Sequence, residues 1–98
     1  MKKLKDGWVE GSVEDFLTLS DADMEYIETR RALSRRLREE RLRKHLTQTQ
    51  LAAALKTSQS RVAKMESGDP SVSLDLLVKS LLALGASNRD LARIISRS

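Results

Sequence analysis

Residues 46–68 read Leu-Thr-Gln-Thr-Gln-Leu-Ala-Ala-Ala-Leu-Lys-Thr-Ser-Gln-Ser-Arg-Val-Ala-Lys-Met-Glu-Ser-Gly, and they contain two short helix patterns joined by a tight turn. Thr47 stands in front of the first pattern and Ser58 in front of the second, and both residue types favour the N-cap of a helix. The spacing predicts one helix from 48 to about 55 and another from 59 to about 67. Gly68 follows in a position typical of the left-handed residue that ends a helix.

The two predicted helices have an apolar face and a polar face. Ala52 is the small residue needed where two helices cross at roughly 90 to 120° around a turn of three or four residues. Larger apolar side chains fill the space behind it, and these are Leu51, Leu55, Val62 and Met65. The opposite face of the second helix carries Gln59, Ser60, Arg61 and Lys64. An amide and two bases outside, with apolar residues inside, are typical of a helix that enters the major groove of DNA.

Upstream of this pair, the sequence predicts a first helix of about 24 residues, roughly 36 Å long. Ser20 followed by Asp23 is a capping pattern, and Leu19 and Met24 hold the two positions of a hydrophobic staple. The predicted core stripe of this helix consists of Tyr26, Leu33 and Leu37. Leu42 points about 180° away from that stripe. It either contacts a partner or is an ordinary exposed side chain, or the helix has ended or bent by that point.

Two more helices are predicted downstream. Ser73 caps one that runs from 74 to about 84 with an inward face of Leu74, Leu77, Val78, Leu81 and Leu82. Ser87 and Asp90 form a capping box in front of the last helix. Five helices and no confident strand predict an all-α domain over residues 20–98, preceded by a short extension of residues 1–19.

Charge is distributed unevenly along the chain. Lys and Arg total 18 against 14 Asp and Glu, and the net charge is +4. Residues 1–28 hold three Lys and eight acids, whereas residues 29–68 hold eleven basic residues and three acids. The basic central block favours an anionic partner such as nucleic acid. With only Trp8, Phe16 and Tyr26 as aromatic residues, the chain lacks the stacking platforms that single-stranded nucleic acid requires.

Several classes of protein are excluded by composition. The chain has no Cys and a single His, which leaves no zinc finger, disulfide framework or thiol-based or His-based catalytic site. We therefore expect no enzyme activity, no metal and no cofactor, and we interpret His45 as a structural residue near a helix end. Neither a signal peptide nor a run of about 18 apolar residues is present, so we expect a cytoplasmic protein without a membrane partner.

The sequences at 46–52 and 58–68 resemble the helix-turn-helix of the Xre and phage-repressor family, over about residues 29–96. The resemblance implies a lambda-repressor-like bundle of five helices, with the third as the recognition helix. It implies that the DNA-binding residues are Gln48, Ser58, Gln59, Ser60, Arg61 and Lys64. Gln48 would contact phosphate and pack, while Gln59, Ser60 and Lys64 fall at base-reading positions. Arg41 and Glu66 match a structural ion pair between the first and third helices.

Residues 7–17, Gly-Trp-Val-Glu-Gly-Ser-Val-Glu-Asp-Phe-Leu, extend the resemblance to the HigA-like antitoxins, which bind DNA and partner RelE-type ribonuclease toxins. We predict that a RelE/HigB-like toxin is bound through Trp8, Val9, Phe16 and Leu17. Acidic neighbours, Glu10, Glu14 and Asp15, would face a basic toxin surface. The alternative is that this acidic segment is only a solvated terminus.

Three features depart from the family pattern or leave alternatives open. Lys56 stands where the family usually has Gly, and it costs on the order of 1 kcal/mol if that residue needs a positive φ. Glu40 stands where an apolar residue is common, which allows for a rotated first helix. The many basic residues between 30 and 44 either form a solvated face or contact phosphates beside the DNA-reading helix.

The combined prediction is a sequence-specific repressor that binds a two-fold operator in double-stranded DNA as a homodimer. One recognition helix buries too little for useful specificity, so we expect two half-sites about 34 Å apart. Leu91, Ile94 and Ile95 either form the dimer seam or close the domain core. Two rival functions are a stand-alone Xre-type or phage-type repressor without a toxin and a helical protein–protein adaptor that does not bind DNA.

Overall fold

The computed structural model describes residues 20–97. The predicted toxin-docking residues therefore lie outside the described residues, and so does Leu19 of the predicted staple. Five α-helices form the described part of the chain, and no strand occurs there. Their bounds are α1 Asp21–Arg43, α2 Gln48–Leu55, α3 Gln59–Ser67, α4 Leu74–Ala83 and α5 Asn88–Arg97. The all-α prediction is confirmed, and across this range no helix has the length and apolar character to cross a bilayer.

Each helix begins where a Ser or Thr accepts a hydrogen bond from the backbone N–H three residues later. The residues that do so are Ser20, Thr47, Ser58, Ser73 and Ser87. At Ser20, Thr47 and Ser87 the side chain three residues on also accepts a hydrogen bond from the cap's own N–H, which completes a capping box. These local bonds satisfy backbone donors that a helix leaves unpaired, and they explain why the sequence predicts the starts of the helices so closely.

α1 and α2 each end in a left-handed turn of the same type. His45 and Lys56 both have a φ of 58°. At the end of α1, Leu46 donates its N–H to the carbonyl of Arg41 at 3.1 Å. The equivalent bond at the end of α2 joins the N–H of Thr57 to the carbonyl of Ala52 at 2.9 Å. This is the Schellman arrangement, which usually places Gly at the left-handed residue.

α1 is the longest helix and provides one wall of the core. It packs against α3, α4 and α5, while α2 packs mainly against α3. Leu33 and Leu37 of α1 are fully buried, as predicted. They share the core with Ala32, Leu51, Ala52, Val62, Met65, Val72, Leu77, Leu81, Leu91 and Ile94.

Two predicted core residues are exposed instead. Tyr26 is 50% exposed because the first turns of α1 are almost wholly solvent-exposed, and its ring lies 5.9 Å from the guanidinium of Arg30. Leu82 is 40% exposed, since it lies about 100° around α4 from the buried Leu81. Leu42 is also exposed on a helix that continues to Arg43, which fits both a partner contact and an ordinary exposed side chain.

The three residues of α5 that the sequence suggested for a dimer seam differ in their exposure. Leu91 and Ile94 are buried and close the core, so they are not available as a seam. Ile95 is 46% exposed and lines a shallow groove with residues of the first two turns of α1. The amphipathic pattern of α5 is explained mainly by packing within one chain, and a single apolar residue of the three remains exposed.

Candidate nucleic-acid interface

α2 and α3 are held together by a small apolar contact. Only residues 56–58 separate the two helices. The two helices pack against each other, and Leu51 and Ala52 of α2 are buried in one core cluster with Val62 and Met65 of α3. The methyl-sized side chain of Ala52 allows the two backbones to approach, and this fixes α3 against the rest of the domain.

The outer face of α3 is open to solvent. Gln59, Ser60, Arg61 and Lys64 are all exposed, as the sequence pattern requires of a DNA-reading face. Ser58 is also exposed, but its hydroxyl accepts the N–H of Arg61 at 3.1 Å and lies 3.3 Å from the hydroxyl of Ser60. The hydroxyl of Ser58 thus starts the helix, and a DNA contact from this residue remains a prediction.

A chain of hydrogen bonds links the first residue of α3 to the first residue of α2. The side-chain N–H of Gln59 donates to the amide oxygen of Gln48 at 2.7 Å. The amide nitrogen of Gln48 in turn donates to Glu66 at 3.2 Å. An amide NH₂ has two donors, so Gln59 keeps one N–H and its carbonyl oxygen for a base edge. The pairing therefore orients Gln59 without using the two groups that a bidentate contact with adenine needs.

The chain of hydrogen bonds ends in a sheltered ion pair. Arg41 of α1 binds both carboxylate oxygens of Glu66, at 2.6 and 3.1 Å, and donates to the carbonyl of Leu46 at 2.8 Å. The side chains of Arg41 and Glu66 are 10% and 4% exposed. The hydrogen bond to Glu66 raises the pKa of Arg41 above its ordinary value, so the guanidinium stays charged. The ion pair joins α1 to the end of α3 and to the loop before α2.

The N-terminus of α2 faces the same region as this network, because Gln48 is its first residue. Thr47 caps the helix through the N–H of Gln50 at 3.0 Å. The first backbone N–H groups of any α-helix have no intrahelical partner and favour an anion. A helix start next to Gln59, which is predicted to read a base, is therefore suited to a DNA phosphate.

The basic residues of α1 differ in the contacts that they make. Arg36 and Arg43 both bind Glu40, the former at 3.0 Å, and the hydrogen bond from Arg43 contributes most to lowering the pKa of Glu40. This explains how an acid is accommodated at a position where the family often has an apolar residue. Arg30 donates to the carbonyl of Asp69 at 3.0 Å. In contrast, Arg35 and Arg38 are exposed and form no ion pair within residues 20–97.

Sequence reasoning missed two features of the site. It did not anticipate the hydrogen bond between Gln48 and Gln59, which depends on the crossing angle of α2 and α3. It also did not anticipate the positive φ of His45, although the same turn was considered at Lys56. The Thr-x-x-Gln spacing of Thr47 and Gln50 was a readable signal for the capping box that starts α2.

These helices form a lambda-repressor-like DNA-binding fold, in which α2 and α3 are the helix-turn-helix and α3 is the predicted recognition helix. The model of the helix-turn-helix family matches residues 37–91, which is more than half of the chain. The chain belongs to this Xre-like helix-turn-helix family, a family of DNA-binding transcription regulators that are not typically enzymes. No curated protein and no solved structure matches the chain.

Proposed function

We propose that this chain is a sequence-specific transcriptional repressor that binds double-stranded DNA through α3. The observation that carries the proposal is the exposed polar face of α3, on which Gln59 is oriented by Gln48. In this role Gln59 pairs with an adenine and Lys64 with a guanine, while Arg61 contacts a base edge or the backbone. Ser60 completes the reading face, and the start of α2 receives a phosphate.

The experiment that tests this proposal is a selection of bound fragments from a random duplex library. We expect an enriched sequence with two-fold symmetry and half-sites about one helical turn apart. Binding should weaken steeply as salt is raised, because contacts with phosphates release counterions. Recovery of no preferred sequence, together with a weak and salt-insensitive response to DNA, would favour the protein–protein adaptor.

The operator-bound state is proposed to be a homodimer. A single short recognition helix contacts too few base pairs for useful specificity, so two copies related by a two-fold axis are required. Sedimentation of the complex with the selected duplex should give two chains of 11.0 kDa per operator. One chain per duplex at saturation would contradict the dimer.

At a finer level we propose that the chain is the antitoxin of a type II toxin–antitoxin pair and represses its own operon. The support is the resemblance of residues 7–17 to HigA-like antitoxins and the acidic, apolar composition of that segment. Its partner would be a basic RelE/HigB-like ribonuclease. A small basic open reading frame beside the gene is the expected genomic context, and its absence would favour a stand-alone repressor.

Deletion of residues 1–19 tests the antitoxin role directly. The toxin used as the binding partner is the product of that adjacent reading frame. The truncated chain should lose capture of the toxin and keep its affinity for the selected duplex, because α2 and α3 are not altered. Normal capture of the toxin by the truncated chain would reject residues 1–19 as the docking segment.

A further inference from the structure

A groove of about 300 Å³ lies between α1 and the C-terminal end of α3. None of the residues of the proposed reading face, Gln59, Ser60, Arg61 and Lys64, lines it. Four residues of α1 and three residues around the end of α3 form its walls, and they are Arg31, Ser34, Arg35, Arg38, Glu66, Ser67 and Gly68. Residues spaced by three and four along α1 lie on one side of the helix, so the three arginines point into one region.

The charge on this wall is largely uncompensated. Arg35 and Arg38 have no acidic partner in the described part of the chain, and Arg31 reaches Glu28 only at 3.8 Å between exposed side chains. An exposed pair at that distance is weak and exchanges readily with solvent. Three guanidinium groups are therefore available to a single anion, and each offers donors in a planar arrangement that matches a phosphate.

Ser34 supplies an independent sign of a ligand. It is only 3% exposed, and its hydroxyl has no hydrogen-bond partner within residues 20–97. A helical Ser usually donates to the carbonyl four residues earlier, and a buried hydroxyl without any partner is unfavourable. Ser34 is one of the residues in the wall that the arginines share, so its unpaired donor is close to an oxyanion bound there.

The negative features of the groove are weaker than its positive charge. Glu66 is the one acid in the wall, and Arg41 already binds both of its carboxylate oxygens. The C-terminal end of a helix such as α3 carries roughly half of a negative charge. Three guanidinium groups outweigh this, so the groove selects an anion.

We propose that this groove binds a phosphate of the DNA backbone beside the half-site read by α3. The proposal rests on the proposed function, because α3 must lie in the major groove for its C-terminal end to approach the flanking backbone. Arg35, Arg38 and Ser34 hold the phosphate, with Arg31 at the edge. The contact adds affinity and fixes the orientation of the domain, but it reads no base.

The test is the double variant Arg35→Gln/Arg38→Gln, with its affinity for the selected duplex and for a scrambled duplex measured between about 50 and 200 mM salt. We expect binding to both duplexes to weaken roughly ten-fold at low salt. The salt slope, which is the slope of log affinity against log salt concentration, should decrease in magnitude by about 1 per protomer. Base preference should not change. The matched control Lys79→Gln/Arg89→Gln removes the same charge from α4 and α5 and should change affinity less than about two-fold.

A salt slope equal to that of the control would overturn the groove as a phosphate site while leaving the reading face intact. Absence of sequence preference in the unaltered chain would instead overturn the proposed function. The two failures are therefore distinguishable.

Ser34→Ala separates a ligand contact from a structural role. We expect unchanged or higher stability to urea, because the alanine removes an unpaired buried hydroxyl, and roughly three-fold weaker binding to both duplexes. Loss of stability with unchanged binding would contradict the proposal.

Inorganic phosphate shares the same chemistry, so thermal stability is also compared in phosphate and in chloride at equal ionic strength. One outcome is that phosphate stabilises the unaltered chain and not the double variant, while the salt slope for duplex binding is the same in both. That result would assign the groove to free phosphate and overturn the DNA contact.

Discussion

Lys56 and His45 have left-handed backbone angles without the freedom of glycine. In both cases the turn around them is held by backbone hydrogen bonds of 2.9 to 3.2 Å. An L-residue in this conformation costs about 1–2 kcal/mol relative to a right-handed one. The turn between α2 and α3 keeps its geometry despite Lys56, as the hydrogen bond from Gln59 to Gln48 demonstrates.

Lys56→Gly should therefore raise the free energy of unfolding by about 0.5–1 kcal/mol, after allowance for the greater freedom of glycine in the unfolded chain. Urea denaturation measures this change. Lys44→Gly is a matched control, because Lys44 has a φ of −89° and gains no relief of strain. A stability for Lys56→Gly at or below that of Lys44→Gly would show that the left-handed turn is not strained.

Arg41 and Glu66 provide a second prediction for single residues. Arg41→Ala leaves the carboxylate of Glu66 buried without its main partner, and we expect a loss of about 3 kcal/mol in stability. Arg43→Ala removes an exposed arginine from Glu40 and should cost clearly less, because solvent screens an exposed pair. Chemical denaturation of the two variants compares them, and equal losses would mean that the sheltered pair contributes no more than the exposed one.

At the scale of the helices, the sequence predicts where a helix begins better than it predicts which side of the helix is buried. A Ser or Thr cap acts within four residues, so its effect is readable locally, as at Thr47 and Ser87. Whether a side chain is buried depends on which helix packs over it, which explains the errors at Tyr26 and Leu82. The same limit applies to the pair Gln48 and Gln59, since their meeting depends on how two helices cross.

Glu40 makes the free energy of unfolding depend on pH, and this dependence can be measured. Its pKa is lowered in the folded chain, chiefly by the hydrogen bond from Arg43 and also by Arg36. Between the lowered pKa and the ordinary value of 4.5, the unfolded chain binds more protons than the folded chain. The stabilisation is therefore complete above pH 4.5 and is lost as pH falls through the folded pKa.

Unfolding of Glu40→Gln at a series of pH values tests this dependence. We expect the variant to lose less stability than the unaltered chain as pH falls below about 4.5, because the titrating group is gone. Asp69 and Asp90 also have lowered pKa values and remain in both proteins, so the comparison isolates Glu40. Identical pH profiles would show that the contacts with Arg43 and Arg36 do not stabilise the fold.

At the scale of the whole molecule, α1 connects the parts that the proposed function needs. Its inner side builds the core with α3, α4 and α5, while Arg41 positions the end of α3 and the loop before α2. The basic charge that composition placed in residues 29–68 is partly used in internal pairs and partly left on one wall beside α3. Composition predicts an anionic partner, but only the folded chain separates arginines that hold helices together from those that face a ligand.

The central claim is that Gln59, held by Gln48, reads a base in the major groove. The most direct measurement is the base preference of Gln59→Ala, obtained by duplex selection beside the unaltered chain and the control Asn88→Ala, which removes an amide at the start of α5. The account predicts that Gln59→Ala relaxes preference at one base step by about 1–3 kcal/mol in each half-site, while the control keeps the full preference. An unchanged preference profile in Gln59→Ala would contradict it.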